Sequence, residues 1–422
     1  MSRGESRNLL RLVSRIRLQC GVFPSQTAQV NRFIRTRKAP VTSLVTPPAA
    51  LTDSLRSELE VKQSRLAALM EANGWTAILI SRHENIAWAT AGRVEARVAL
   101  GTETAVCSLL ITRTGKRYYI APNNEAARLA GEEFTSLDME PAIYLWSDGD
   151  AASDLIRKLG GPEIASDTAA PGSPSGYYPL SLTSLRTPLL PSECERFRTL
   201  GAAVAASTTR VLKTLAPGVT EDEMAARIAA DLLAQHITPS VLLMATDQRI
   251  FRYKHAVPRA GVLKNYGMLN LCARRDGMVI SITRFVHFGP MPATLAANFE
   301  KSARINAALL HATRAGATSA QLYAVAAKGY ADAGVPDEIN QHHQGGPCGY
   351  VERDWVATPS GTERVDATQG FAWNPSLQGA KAEDTALLHD GAIETVTATP
   401  DLPVIETELG GKIYRSAGVY LP

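Results

Sequence analysis

Apolar residues recur every three or four positions in SELEVKQSRLAALMEANG (57–74), which predicts an amphipathic helix that ends at Gly74. The short apolar run TAILIS follows and predicts a buried strand. ETAVCSLLIT and KRYYIA, on either side of the turn RTG, predict two more strands, and EAARLAGEEF predicts a return to helix. This alternation indicates an α/β domain of roughly one hundred residues.

A change in composition marks the end of that domain. The stretch DTAAPGSPSGYYPLS (167–181) is rich in Pro, Gly and Ser, which predicts a linker. A chain of 422 residues is too long for one ordinary core. We therefore expect two domains, residues 54–185 and residues 186–422, preceded by an extension of residues 1–53.

The second domain contains a concealed repeat. Two helical segments joined by APG, with Thr220 and Glu223 spaced as a capping box, recur about one hundred residues later with Thr318 and Gln321 in the same spacing. β-rich sequence follows each helix pair. Two such units in tandem predict a pseudo-twofold domain with its site between the halves. Two unrelated helical hairpins are the alternative.

The composition is that of a soluble globular protein, with 45% hydrophobic and 20% charged residues and no apolar run of eighteen. We therefore expect no membrane span. The five cysteines are scattered and form no CxxC pair, which favours a reducing compartment over a disulfide framework or a structural zinc site.

Charge is distributed unevenly along the chain. The extension 1–53 holds nine basic and two acidic residues, which leaves 35 basic and 39 acidic residues for the body. A mildly acidic body predicts no nucleic-acid partner. The arginines of the extension recur every four positions (Arg3, Arg7, Arg11 and Arg15), a pattern that resembles a mitochondrial transit peptide. A disordered basic tail, or a start codon assigned too far upstream, is the alternative, so we expect the cytoplasm or, with a transit peptide, the mitochondrial matrix.

Three segments in order then point to a known family: KHAVPRAGVLKNYGMLNLCAR, SITRFVHFG and KAEDTALL. Together with the helix pairs they resemble the pita-bread-fold enzymes, which include creatinase, aminopeptidase P, prolidase and methionine aminopeptidase. The resemblance covers roughly residues 55–420. It implies an α/β N-terminal domain, an α+β pita-bread C-terminal domain with a pseudo-twofold repeat, and a homodimer.

The resemblance also implies where two metal ions would bind. The five ligand positions of the metallopeptidases fall here on Asn270, Ser281, His343, Asn374 and Glu383. Two ions bring about four positive charges, which bridging carboxylates normally neutralise, and three of the five positions lack a carboxylate. We therefore expect no metal cofactor. A true metal-dependent Xaa-Pro aminopeptidase is the alternative.

Creatinase supplies the metal-free precedent in the family, because it hydrolyses a C–N bond with a histidine as proton shuttle. His255, in RYKHAVP, falls at that position, and a neutral imidazole can take a proton from water and return it. Glu383 would orient an imidazolium or bind a cationic group, and His343 would polarise a carbonyl. The alternative for His255 is a loop histidine with a backbone hydrogen bond; we expect His342 to be structural.

Further polar residues are candidates for substrate binding. Asn270 and Asn374 occupy equivalent places in the two halves and suit a polar small molecule, or else they join two strand ends. Ser281 belongs with them. Arg284 and Arg353 are candidates for a substrate carboxylate or for structural ion pairs. A thiolate at Cys272 or Cys348 would be reactive beside a histidine, but an inert buried thiol is the expectation.

These residues favour a metal-independent, creatinase-like hydrolase, or another enzyme that cleaves C–N or C–X bonds, acting on a small polar molecule or short peptide. The alternatives are the metal-dependent aminopeptidase and a non-enzymatic pseudopeptidase that binds a peptide or protein.

Overall fold

The computed structural model describes residues 52–169 and 176–422. The basic extension, with its transit-peptide interpretation, lies outside the described residues except for its last two positions, and so does the centre of the linker. Among the residues that are described, no helix is long and apolar enough to cross a membrane.

Helix α1 (Asp53–Asn73) begins and ends as local sequence dictates. Thr52 caps its first turn, with Oγ1 accepting a hydrogen bond from the Leu55 N–H at 3.3 Å. Gly74 ends the helix in the left-handed region with φ 72°, where a side chain would be strained. The sequence-based prediction of this helix is confirmed.

The N-terminal part is a six-stranded mixed sheet in the order β4-β3-β2-β1-β5-β6. Strands β1, β2 and β3 are antiparallel neighbours, whereas β4, β5 and β6 join in parallel. The strands are β1 (Ala77–Arg82), β2 (Thr104–Thr112), β3 (Arg117–Pro122), β4 (Glu140–Tyr144), β5 (Ile164–Ser166) and β6 (Tyr178–Pro179). Its helices are α2 (His83–Ala89) and α3 (Ala151–Gly160), with short helical segments at Ala126–Arg128, Leu129–Glu133 and Thr183–Arg186.

Part of the predicted linker belongs to this sheet. Tyr178–Pro179 pairs with β5, and the Asp167 carboxylate accepts hydrogen bonds from the backbone N–H groups of Ser81 and Arg82 at 2.9 and 3.0 Å. An edge strand tolerates proline because its outer side needs no donor. The linker predicted from composition, residues 167–181, was therefore too long.

The C-terminal part begins with α4 (Pro191–Lys213) and α5 (Glu221–Leu233) and continues with strands that form a sheet in the order β18-β9-β8-β7. A second sheet, β10-β11-β14-β15, follows α6 (Ala293–Ala312) and α7 (Ser319–Asp332). The longer strands are β7 (Thr238–Thr246), β8 (Tyr266–Arg275), β9 (Met278–His287), β10 (Gly345–Cys348), β11 (Gln369–Trp373), β14 (Asp384–His389) and β15 (Ala392–Thr395).

Short elements complete this part of the chain. Two hairpins form separate two-stranded sheets: β12 (Ser376–Leu377) with β13 (Ala380–Lys381), and β16 (Val404–Leu409) with β17 (Lys412–Ala417). The remaining elements are β18 (Val419–Tyr420), the short helix Gln248–Arg252 and the 3₁₀ helix Pro336–Gln341.

The two halves repeat in detail, which confirms the predicted pseudo-twofold. Thr220 with Glu223 and Thr318 with Gln321 both form complete capping boxes. Each threonine also makes an isolated antiparallel bridge, Thr220 to Val262 and Thr318 to Arg364. Two unrelated hairpins would not be expected to share a capping-box threonine that also makes an antiparallel bridge.

The halves meet where β9 lies beside β14. The Ser281 N–H donates to Thr385 Oγ1 at 2.8 Å, and the Thr283 N–H donates to the Glu383 carbonyl at 3.2 Å. This contact brings polar side chains of β8 and β9 next to Glu383, at the junction of the two sheets.

A buried charge cluster joins α1 to the C-terminal part. The Lys62 ammonium is fully buried and contacts Glu58 at 2.5 Å, Glu193 at 2.7 Å and the Tyr350 hydroxyl at 2.9 Å. Arg196 binds both oxygens of Glu58, at 2.7 and 2.8 Å. Two cations and two carboxylates neutralise one another here, which is how ionised groups are kept in a protein interior.

Candidate functional site

Glu383 is the centre of the polar group between the halves. Its Oε2 accepts hydrogen bonds from Asn270 Nδ2 at 2.5 Å and from Thr283 Oγ1, and lies 2.8 Å from Lys381 Nζ. Its Oε1 lies 3.3 Å from Arg353 Nη2. Burial raises the pKa of Glu383, but Lys381 and Arg353 outweigh that effect and lower the pKa to about 2. Glu383 is therefore a carboxylate at neutral pH.

Lys381 is a site residue that the sequence analysis missed. It ends β13, where it pairs with Ser376, and only 10% of its side chain is exposed. A spacing signal was available, because Lys381 and Glu383 are two positions apart and residues i and i+2 share a face in extended chain. Side chains of opposite charge at that spacing are candidates for an ion pair.

Arg353 connects Ser281 to Glu383. Its Nη1 donates to Ser281 Oγ at 3.1 Å, and its Nε–H is buried without a hydrogen-bond partner in the described part of the chain. The Cys272 thiol lies 3.2 Å from the same Ser281 hydroxyl. Burial raises the pKa of Cys272 to about 11 and raises that of Cys348 as well, so both are thiols at neutral pH and poor nucleophiles.

Arg284 lies outside the group that can reach a ligand. It is 1% exposed, and its Nη2 contacts Asp384 Oδ1 at 2.6 Å. Its remaining donors bind Thr399 Oγ1 and the carbonyl oxygens of Thr283 and Thr397. We therefore assign Arg284 to the structural ion pair that the sequence left as an alternative, and correct its use as a substrate-binding candidate.

The structure brings together only some of the five positions that correspond to metal ligands. Asn270 and Glu383 are in direct contact, and Ser281 joins them through Arg353. His343 Nδ1 instead accepts a hydrogen bond from the Gly345 N–H at 3.2 Å, and Asn374 Oδ1 has no hydrogen-bond partner among the described residues.

The chemistry of that set also argues against two metal ions. It offers one carboxylate, which already neutralises part of the charge of a lysine and an arginine. Two dications would place about four further positive charges beside Lys381 and Arg353, and neutral amide and hydroxyl oxygens do not compensate them. The residues present do not fit a dinuclear site.

Three histidines form a second group beside the first. His255 Nε2 lies 2.9 Å from His342 Nε2, and His342 Nδ1 lies 2.5 Å from the carbonyl oxygen of His343. We assign the tautomers from these partners: His342 Nδ1–H donates to the carbonyl, so its Nε2 accepts from His255 Nε2–H. The ring of His342, which the sequence analysis treated as structural, thus contacts the candidate proton shuttle directly.

All three imidazoles are neutral at neutral pH. Burial lowers the pKa of His342 to about 3 and that of His343 to about 4. Lys381 adds to the effect on His342, and Arg353 and Lys381 add to the effect on His343. The pKa of His255 is lowered for the same reasons, burial first and Lys381 second. One ligand atom from each histidine lies within 4.8 Å of the others, a spacing that could hold a single ion. An ion there would have to break the His255–His342 hydrogen bond.

A small apolar recess flanks this group. It has a volume of about 30 Å³, and its lining includes Ile250, Met268, Phe285, His342 and Lys381. A space of this size suits a methyl-sized substituent rather than an aromatic ring.

Comparison with known proteins agrees with this architecture. Residues 62–172 match the creatinase/prolidase N-terminal domain, and residues 195–389 match metallopeptidase family M24. A probable dipeptidase, PepE, of Mycobacterium tuberculosis (strain ATCC 25618 / H37Rv) is 24% identical over 393 residues, which cover 83% of this chain and 99% of the relative.

Solved structures show the same fold. An Xaa-Pro dipeptidase from Bacillus anthracis superposes with a TM-score of 0.66 at 16% identity, covering 81% of this chain and 98% of that one. The N-terminal domain of the FACT complex subunit SPT16 from chickpea (Cicer arietinum) superposes with a TM-score of 0.57 at 12% identity, covering 81% and 97%. The two domain matches together span most of the chain, which therefore belongs to the pita-bread-fold creatinase/aminopeptidase P/prolidase family.

Proposed function

We propose that the protein is a metal-independent hydrolase that cleaves a C–N bond in a small polar molecule or short peptide, with His255 as the proton shuttle. The observation that carries this proposal is the Lys381 ammonium 2.8 Å from Glu383, where a metallopeptidase would hold a dication. The site therefore has fixed cations of its own, and the neighbouring imidazoles supply acid–base chemistry.

The proposed reaction uses His255 twice. His255 Nε2 is engaged with His342, which leaves Nδ1 to take a proton from water as the water oxygen bonds to the substrate carbon. The imidazolium then gives that proton to the departing nitrogen as the C–N bond breaks. The products are an acid and an amine, and the histidine returns to its neutral form.

The other residues are proposed to position and polarise the substrate. His343 Nδ1 accepts from Gly345, so its Nε2 carries hydrogen and is a donor suited to a substrate carbonyl oxygen. Asn270 holds Glu383, which in turn holds Lys381 and Arg353, and Ser281 fixes the Arg353 guanidinium. Asn374 contributes an acceptor for a substrate N–H.

A metal-dependent Xaa-Pro aminopeptidase is disfavoured by the ligand chemistry described above. The non-enzymatic alternative shares its fold with the SPT16 domain, but a likeness at 12% identity concerns the fold alone. A hydrogen-bonded pair of neutral imidazoles beside a fixed cation favours chemistry over passive binding.

The test separates metal-dependent from metal-free turnover. A panel of dipeptides, including X-Pro dipeptides, and of small amides and guanidino acids is first screened for amine release with protein purified without chelator. Activity on the compound that turns over should survive excess EDTA. His255→Ala should lower kcat by about 10²–10⁴. The control is His389→Ala, which should have no effect because His389 lies half-buried beside Asp390 at the end of β14. Activity that disappears with EDTA and returns with Mn²⁺ or Co²⁺ would establish the metal-dependent reading instead.

The remaining expectations stand as proposals of the same kind. We propose a homodimer, domain limits at residues 54–185 and 186–422, and a cytoplasmic location with the mitochondrial matrix as the alternative. Light scattering at micromolar concentration would test the homodimer, because a monomer mass would contradict it.

A further inference from the structure

The site carries more positive than negative charge. In the described part of the chain, Glu383 is the one carboxylate within salt-bridge distance of Lys381 and Arg353. The neighbouring histidines are neutral at neutral pH and do not change the balance. One positive charge is therefore uncompensated in a place where only 10% of the Lys381 side chain and 13% of the Arg353 side chain are exposed. Such an excess is costly unless an anion joins it.

Lys381 and Arg353 also carry N–H groups that are available as hydrogen-bond donors to a ligand. Arg353 Nε–H is buried and has no hydrogen-bond partner among the described residues. The Lys381 ammonium carries three N–H donors, and Glu383 is its hydrogen-bond acceptor here. These donors suit the oxygens of a carboxylate, to which charge-assisted hydrogen bonds are among the strongest that side chains make.

An acceptor that has no partner in the described part of the chain lies directly after β11, which pairs with the strand that follows Glu383. Trp373 pairs with Asp384 in the β11–β14 ladder, so the next residue, Asn374, lies at the level of Glu383. Asn374 is 3% exposed, and its Oδ1 has no partner within the described residues. A buried carbonyl oxygen without a donor is rare, and a ligand N–H would satisfy it.

We propose that Lys381 and Arg353 bind the carboxylate of a small ligand whose neighbouring N–H donates to Asn374, as in an α-amino acid or its N-linked derivative. The recess lined by Ile250, Met268 and Phe285 would take a small aliphatic substituent of that ligand. Lys381 and Arg353 thus serve as tethered cations for anion binding. The inference rests on the proposed function only in using the same cleft, because binding requires no turnover.

The experiment compares L-alanine with L-alaninamide and acetate at constant pH and ionic strength. Binding is measured by isothermal titration calorimetry and by the ligand-induced change in melting temperature. We expect L-alanine to bind at least tenfold more tightly than L-alaninamide, which lacks the carboxylate, and more tightly than acetate, which lacks the N–H. Equal affinity for L-alanine and L-alaninamide would overturn the inference.

Variants locate the site and separate it from catalysis. Arg353→Met should weaken L-alanine binding at least tenfold, and Asn374→Ala should remove the preference for L-alanine over acetate. Lys412→Met, an exposed lysine on β17, is the matched control and should bind as the unaltered protein does. His255→Ala should also bind L-alanine normally, even though it loses turnover. If Arg353→Met is folded by circular dichroism and binds L-alanine unchanged, the site is elsewhere and the inference fails.

Discussion

Replacing Lys381 by methionine removes the cation 2.8 Å from the buried Glu383 carboxylate and leaves the carboxylate in place. Two unit charges at that distance attract by about 6 kcal/mol at an effective dielectric constant of about 20. Because Arg353 remains beside Glu383 and desolvation offsets part of the attraction, we expect a net loss of about 1–3 kcal/mol, below the roughly 3–5 kcal/mol of a buried charge left without a partner. At about 2 °C per kcal/mol for a domain of this size, the melting temperature should fall by about 2–6 °C.

Two further substitutions distinguish the ion pairs from lost packing. Adding Glu383→Gln and Arg353→Met to Lys381→Met removes all three charges, so the triple variant should recover at least half of the lost melting temperature. Lys412→Met serves as the control for loss of an exposed lysine. All four proteins are melted by differential scanning calorimetry at pH 7.5, with circular dichroism as a check of the fold.

The pH dependence gives an independent readout. In the unaltered protein the pKa of Glu383 is about 2, below its ordinary value of 4.5, so its stabilisation is complete above pH 4.5 and is lost as the pH falls from there towards 2. Without Lys381 that pKa rises, and less of the stabilisation remains at pH 7.5. The difference in melting temperature between the two proteins should therefore be constant above pH 4.5 and shrink as the pH is lowered from 4.5 towards 2. A Lys381→Met protein as stable as the triple variant would refute this account of Glu383.

Four further outcomes are expected. Protein purified without chelator should contain well under one equivalent of Mn, Co, Fe and Zn by mass spectrometry, and stoichiometric metal would contradict the absence of a dinuclear centre. Cys272 should resist iodoacetamide at pH 7.5 in the folded state, as read by peptide mass mapping, because burial raises its pKa to about 11. Gly345→Ala should lower the melting temperature by several degrees, since φ is +93° and a Cβ would lie 2.1 Å from the Ala372 carbonyl oxygen. Thr318→Ala should cost about 1 kcal/mol in chemical denaturation through loss of the α7 cap, against no change for Thr362→Ala, an exposed loop threonine.

The fold could be predicted from sequence because its signals are local. The Gly74 terminus, the two capping boxes and the strands flanking RTG each depend on a few adjacent residues. The order of these signals along the chain then identified the tandem repeat. Only the linker was misjudged, since the pairing of Tyr178–Pro179 with β5 is decided by the sheet and not by composition.

The site could be predicted only in part because its side chains meet partners that are far away in sequence. The sequence indicated that Glu383 and Asn270 share a site, and they are in contact across 113 positions. It could not decide between a ligand and an ion pair for Arg284, whose partner Asp384 is 100 residues away. The contact of His342 with His255 likewise depends on how two loops pack, and no sequence pattern predicts it.

The buried cluster around Lys62 limits how this chain can be divided. Helix α1 precedes the six-stranded sheet in sequence. Its Lys62 and Glu58 are nevertheless bound by Glu193, Arg196 and Tyr350 of the C-terminal part. A fragment cut after residue 185 would leave Glu193 and Arg196 without these partners and expose the Tyr350 segment that follows the histidine pair. We therefore expect a fragment that begins at residue 186 to fold stably only when helix α1 is supplied with it, because α1 provides the partners of Glu193 and Arg196.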